Sequence, residues 1–318
     1  MKGKTILTVI PIKEKHRELL KKIAKDAEII FCRPEEVTQE LADQAEIILG
    51  NIPPEMVKKA KKLEWLQLNS AGFDVYAKEE IMGDRLLTSC SGAYGQTVSE
   101  HMFAMLLAMQ KKLHLYRDDQ KAHKWGDQGA VTSISDATVM ILGLGDIGKH
   151  FARLAHALGA YVIGIKRTYS PCPEYVDELH LQEDIKAILP RADAVVSFLP
   201  SSEENRGMFD KEYFDLMKPG SFFLNGGRGD TVSAEDLCQA LKEGRLAGAA
   251  LDVTDPEPLP PEHPLWDMPQ VFITPHVSGG YHLSVTLDNV VDICAENLRR
   301  YLSGKELRNL VKVSTKAE

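Results

Sequence analysis

Short apolar runs alternate along the chain with longer stretches in which apolar residues recur every three or four positions. The first pattern predicts buried strands and the second amphipathic helices. In the first third, Thr5–Ile10, Glu28–Cys32, Ile47–Gly50 and Trp65–Asn69 read as strands, and Glu14–Lys25, Pro34–Ala45 and Pro54–Lys61 as helices. Such alternation predicts a small parallel sheet with helices on its faces. Thr97–Tyr116 reads as one long apolar helix, followed by a segment with Trp125 and several glycines. A second series then begins, with strands at Thr138–Leu142, Tyr161–Lys166, Ala194–Phe198, Ser221–Asn225, Gly248–Asp252 and Val271–Thr274. Helical segments at Ile147–Leu158, Glu183–Leu189, Lys211–Leu216 and Ala234–Glu243 lie between them. Six strands is the count of a full dinucleotide-binding sheet. The tail, Ser284–Ser303, reads as a helix expected to return to the first unit.

The fold class is therefore α/β, and 318 residues point to two domains rather than one small core. A net charge of −8 argues against a nucleic-acid surface. The five cysteines (Cys32, Cys90, Cys172, Cys238, Cys294) are scattered, with no pattern of a disulfide framework or zinc site. No metal is expected, and a reduced cytoplasmic setting fits the cysteine usage. The opening MKGKTILTVIPIKEKH has too short an apolar run for a signal peptide, and Met102–Met109 is too short to span a bilayer.

Candidate chemistry starts at Val139–Gly148, where an apolar strand runs into Gly143-Leu144-Gly145-Asp146-Ile147-Gly148 and then a helical pattern. This is G-x-G-x-x-G in its required context. Gly143 permits the turn, Gly145 lets a pyrophosphate approach the backbone, and Gly148 lets the helix pack on the strand. The helix start, at Asp146 and Ile147, offers N–H groups to phosphates. A strand-to-helix turn without a ligand is the plainer alternative.

About 20 residues further on, an acid normally accepts from the ribose 2′-hydroxyl of NAD. Here the strand ends Ile165-Lys166-Arg167-Thr168-Tyr169-Ser170, with two bases and no acid. Arg167 suits a 2′-phosphate, with Lys166, Thr168 and Ser170 as further donors, so NADP(H) is preferred over NAD(H). An exposed strand end is the alternative. Three later strand ends add Asn225-Gly226-Gly227-Arg228-Gly229, Asp252 with Glu257 between prolines, and Pro275-His276. Arg228 suits a bidentate grip on a carboxylate, and His276 is the candidate proton donor.

Taken in order, these motifs resemble the D-isomer-specific 2-hydroxyacid dehydrogenases, and within them the glyoxylate/hydroxypyruvate reductases. The resemblance covers almost the whole chain. It implies a Rossmann-type doubly wound sheet over residues 98–281 and a smaller flavodoxin-like substrate domain split between 1–97 and 282–318. Asn69-Ser70-Ala71-Gly72-Phe73-Asp74 resembles the family's substrate-carboxylate loop, with Ala71, Gly72 and Phe73 as its contacts. Leu199-Pro200-Ser201-Ser202-Glu203-Glu204-Asn205-Arg206-Gly207 resembles the segment flanking the adenosine, with Pro200 and Asn205 at the cofactor.

Further roles follow from the resemblance. Gly226 and Gly227 would contact the cofactor, and Asp252 its nicotinamide side. Arg228 would bind and polarise a 2-oxo acid, and His276 would protonate the nascent alkoxide. Glu257 would orient the imidazole and favour its charged form. A homodimer through the cofactor domain is implied, with the helix from Thr97 and the Trp125 arm as its parts. Glyoxylate and hydroxypyruvate are the first substrate candidates, and D-lactate or 3-phosphoglycerate chemistry stays open. A nicotinamide-sensing binding protein is the alternative from another class, which the intact Arg228, Glu257 and His276 set disfavours. Oxidation of phosphite or formate is a third reading to which nothing else points.

Overall fold

The structure, a computed structural model, describes residues 3–313. Residues 1–2 and 314–318, at the ends of the expected substrate domain, lie outside the described residues. The chain divides into two compact units, Met1–Tyr94 with Tyr281–Glu318, and Gly95–Gly280.

The first unit carries five parallel strands, β1 (Thr5–Thr8), β2 (Glu28–Phe31), β3 (Ile47–Leu49), β4 (Trp65–Gln67) and β5 (Leu86–Thr88), in the order β2-β1-β3-β4-β5. That is the flavodoxin-like order. The central strands are covered on both faces, so β3 and β4 are wholly buried and read as unbroken apolar runs. The tail helix, Ser284–Leu302, belongs to this unit, where Asn297 Nδ2 donates to Gln67 Oε1 at 2.7 Å. Strand β5 was not expected: it is only three residues long and follows the charged Asp84-Arg85. The expected helix Pro34–Ala45 is instead a 3-10 turn, Pro34–Glu36, and a separate helix, Gln39–Gln44, capped by the Thr38 hydroxyl.

The second unit holds seven parallel strands, β6 (Thr138–Leu142), β7 (Tyr161–Lys166), β8 (Glu178–Leu181), β9 (Ala194–Ser197), β10 (Ser221–Asn225), β11 (Leu246–Leu251) and β12 (Val271–Ile273). Their order is β12-β11-β10-β9-β6-β7-β8. Starting at β8, this is the doubly wound 3-2-1-4-5-6 arrangement with β12 added at the far edge. The expected six strands omitted β8. Its sequence, ELHL, is half polar because it pairs on one side only, and its Glu178 accepts from Tyr161 and Arg191.

The expected helix Thr97–Tyr116 is two helices, Gly95–Gln110 and Leu113–Lys121, broken where Lys112 adopts φ 56°. Val98, Met102, Phe103, Met105, Leu106 and Met109 of the first are buried, and Phe103 meets Phe151 edge-on with 5.2 Å between centroids. This apolar face is therefore core within its own unit, whereas Trp125 and Leu113 are exposed. The segment expected as helix Glu183–Leu189 is a short α-turn, Ile185–Ile188, between two 3-10 turns. Among the described residues no helix is long and apolar enough to cross a membrane.

Candidate active site

The fingerprint turn lies between β6 and the helix Asp146–Ala157. Gly143 has φ +86°, a conformation L side chains avoid. A Cβ at Gly148 would fall 2.3 Å from the Gly143 carbonyl oxygen, so helix and strand close only without one. A Cβ at Gly145 would meet nothing within 4 Å. No side chain caps the helix at Gly145, which leaves its first N–H groups to an incoming acceptor. Tight packing at 148 and open approach at 145 fit the pyrophosphate of a dinucleotide.

Beside this turn is a cavity of about 390 Å³, within the usual range for small-molecule sites. Gly143, Gly145, Asp146, Lys166, Arg167, Thr168, Pro200 and Asn205 line it. Ile147, Gly148, Gly226, Gly227 and Asp252 do not. The cavity also takes Ser202 and Glu204 of the adenosine-flanking segment, and Lys149 and Gln182, which lie outside the motifs. Lys149 was legible, since it lies one residue past the last fingerprint glycine; Gln182 arrives only through the unexpected β8. Lys166 Nζ donates to Ser170 Oγ at 2.8 Å, while Arg167 is exposed. Asn205 is buried: its Nδ2 donates to the Pro200 carbonyl at 2.9 Å and its Oδ1 accepts from Gln182 Nε2 at 2.8 Å. It thus fixes the cavity wall. The Asp146 carboxylate lies against Gly95 and 3.8 Å from His150 Nε2.

The loop after β10 is built by Asn225. Its Nδ2 donates to the Arg228 carbonyl at 2.9 Å and its Oδ1 accepts from Gly227 N–H at 3.1 Å. A Cβ at Gly227 would sit 2.5 Å from the Leu199 carbonyl oxygen, so this glycine permits backbone-on-backbone packing. The half-buried Arg228 donates through Nη1 to the Gly227 carbonyl at 2.9 Å.

His276 follows β12 and holds φ +50°, an uncommon conformation for a non-glycine residue that costs roughly 1–2 kcal/mol. Its N–H donates to the carbonyls of Asp252 at 2.8 Å and Thr274 at 3.0 Å. Its Nδ1 is 3.0 Å from Glu257 Oε2, and Glu257 Oε1 accepts from Thr254 N–H at 3.2 Å. Both side chains are about half exposed, at 51% and 40%. Two residues 19 apart in sequence thus form a histidine–carboxylate pair, an arrangement able to carry general acid–base chemistry. Asp252 is buried, and its carboxylate accepts from Thr274 Oγ1 at 2.6 Å, Val277 N–H at 3.1 Å, Ser278 N–H at 3.2 Å and the Ser278 hydroxyl. Here it clamps the loop that carries His276.

In the first unit, the loop 69–73 is fixed by polar contacts. Asn51 Nδ2 donates to Ser70 Oγ at 3.0 Å, Ser70 Oγ donates to the Gly72 carbonyl at 2.7 Å, and the Tyr94 hydroxyl donates to the Asn69 carbonyl. Asn69 Nδ2 donates to Tyr281 Oη at 2.6 Å. Burial raises both tyrosines above the ordinary phenol range, so they remain protonated. Ala71 and Gly72 are half-buried and Phe73 is exposed. Among the described residues no group of three His, Cys, Asp or Glu side chains is placed to hold a metal ion.

Sheet order, fingerprint turn and strand-end loops are those of a dinucleotide-binding protein. Residues 103–278 match the family model "D-isomer specific 2-hydroxyacid dehydrogenase, NAD binding domain". A glyoxylate/hydroxypyruvate reductase B of Klebsiella pneumoniae is 30% identical over 296 residues, covering 89% of this chain and 90% of the relative. The crystal structure of a D-isomer specific 2-hydroxyacid dehydrogenase family protein from Aeromonas salmonicida superposes with TM-score 0.87 and 31% identity, over 98% of this chain and all of that one. An NADPH-dependent glyoxylate/hydroxypyruvate reductase from Sinorhizobium meliloti, solved with NADP and sulfate, gives TM-score 0.82 at 26% identity, covering 97% and 98%. The chain belongs to the D-isomer specific 2-hydroxyacid dehydrogenases. It is an NAD(P)-dependent oxidoreductase of 2-hydroxy acids, and the family's dinucleotide domain falls within the second unit.

Proposed function

We propose that the protein reduces small 2-oxo acids, glyoxylate and hydroxypyruvate first, to D-2-hydroxy acids, with NADPH preferred over NADH. The observation that carries this reading is the His276–Glu257 pair, 3.0 Å apart on the loops after β12 and β11. Similarity to the Klebsiella and Sinorhizobium reductases supports the substrate class. The acid-free strand end with Lys166, Arg167 and Thr168 in the cavity wall supports the cofactor choice.

Bound nicotinamide supplies the hydride. Arg228 holds the substrate carboxylate and polarises the carbonyl. His276 keeps Nδ1–H toward Glu257 and delivers the proton of Nε2 to the forming alkoxide. In the oxidative direction the same nitrogen takes the proton. The Gly143–Gly148 turn, with Asp146 and Ile147 at the helix start, holds the pyrophosphate. Pro200 and Asn205 flank the adenosine, Gly226 and Gly227 contact the cofactor, and Asp252 belongs to its nicotinamide side. The first unit, Met1–Tyr94 with Tyr281–Glu318, serves as the substrate domain and the second, Gly95–Gly280, as the cofactor domain. The exposed Trp125 arm supports a homodimer through the cofactor domain. The proposed location is the cytoplasm.

Substitution His276→Ala tests this against a purely nicotinamide-sensing role. The variant is expected to bind NADPH as the wild type does and to lose at least about a hundredfold in kcat. Wild-type kcat in the variant would overturn the assignment.

A further inference from the structure

We infer that His101 is a positioning residue for the proton donor, acting through Thr274 and Asp252 on the loop that carries His276. This deepens the proposed reading and rests on His276 being that donor. His101 lies on the helix Gly95–Gln110, and its Nε2 is 3.0 Å from Thr274 Oγ1 and 3.9 Å from Asp252 Oδ1. All three belong to the second unit.

Proton counting fixes the direction. The Thr274 hydroxyl has one proton and spends it on Asp252 Oδ1 at 2.6 Å. Its lone pair therefore accepts from His101, which must carry its proton on Nε2. The run is His101 Nε2–H to Thr274 Oγ1–H to the Asp252 carboxylate, which Ser278 and Val277 also grip. The same Thr274 and Asp252 accept the His276 N–H through their carbonyls and hold its left-handed backbone. A second tie runs from the same helix, where Thr97 Oγ1 donates to the Ser278 carbonyl at 3.0 Å. The helix thus braces both ends of Thr274–Ser278. His101 touches no reacting atom; it sets where the Nε2 of His276 comes to rest.

The experiment compares wild type, His101→Ala, His101→Gln, His101→Asn, Thr274→Val and the His101→Ala/Thr274→Val double variant. It reads glyoxylate and hydroxypyruvate reduction, NADPH Kd by calorimetry, and the ring tautomers by long-range ¹H–¹⁵N NMR, with His101 assigned by difference from His101→Gln. His101→Ala and Thr274→Val should each lower kcat by about tenfold, with KM for the oxo acid and NADPH Kd within about twofold. The double variant should be about as impaired as either single one, because one chain of bonds is broken. Gln places an amide N–H where Nε2 stood and should restore kcat to within about threefold; Asn is too short and should not.

Unchanged kcat in His101→Ala, a Gln variant no better than Ala, or kcat, KM and Kd deteriorating together would overturn the inference. So would a His101 found as the Nδ1–H tautomer, a readout that stands whatever substrate the enzyme takes. An inactive wild type would refute the proposed function instead, leaving the tautomer to decide the hydrogen-bond chain.

Discussion

Neutralising Glu257 without changing its shape isolates what its charge does for His276. In Glu257→Gln the side chain keeps its length, but the full negative charge 3.0 Å from Nδ1 is gone. At that separation a unit charge pair is worth about 1.4 kcal/mol in bulk water and about 5.5 kcal/mol at an effective dielectric of 20. Both side chains are about half exposed, which pulls the value toward water and leaves about 1.5–3 kcal/mol. That interaction holds the ring so that Nε2 faces the reacting oxygen, and its loss is felt in the transition state as a misplaced proton donor. At 1.36 kcal/mol per decade, kcat should fall about ten- to a hundredfold. The assay is NADPH oxidation at saturating glyoxylate and cofactor, with NADPH Kd measured separately and expected within twofold of wild type. A kcat within about twofold of wild type, or a loss explained entirely by weaker cofactor binding, would refute the pairing argument.

Four further outcomes are expected. Arg167→Ala should raise KM for NADPH by about tenfold or more and leave KM for NADH within about twofold, since one charge-assisted bond to the 2′-phosphate is lost; equal effects on both cofactors would reject that role. Gly148→Ala places a Cβ 2.3 Å from the Gly143 carbonyl oxygen, so the helix must retreat; a differential melt should show roughly 1–3 kcal/mol of lost stability and titration a weaker NADPH complex. Gly145→Ala, whose Cβ meets nothing, should instead keep its Tm within about 1 °C while weakening NADPH, and a melting loss equal to that of Gly148→Ala would contradict the packing distinction. Arg191, His180 and Tyr161 hold the Glu178 carboxyl down to about 2, so its stabilising contribution is present above the ordinary carboxylate range and fades as pH falls toward 2. Glu178→Gln should therefore lower Tm at pH 7 by a few degrees, with the gap narrowing below about pH 5; a gap that stays constant to pH 3 would exclude this account.

The sheet centres were legible because strands covered on both faces are continuously apolar: Val139–Leu142 and Ala194–Val196 have no exposed surface at all. Edges were less so. Strand β8, ELHL, mixes charge with leucine, and β5 is too short to stand out from its flanks. The break at Lys112 had no glycine or proline to mark it, and a left-handed lysine is set by the surrounding fold. At the site, local motifs carried most of the information. The fingerprint glycines and Arg228 each sit in a loop whose backbone demands are written in adjacent residues, as Asn225 shows by building the turn that presents Arg228. His101 escaped because its meaning is tertiary. It lies 173 residues from Thr274, and nothing in a helical EHMFAM pattern says that one ring faces a strand end.

The most direct test of the central claim is the rate of NADPH and NADH oxidation by the purified protein with glyoxylate, hydroxypyruvate and pyruvate. Turnover of glyoxylate or hydroxypyruvate, faster with NADPH than with NADH, is the predicted result. Tight cofactor binding with no turnover of any of the three would contradict it and favour a binding role.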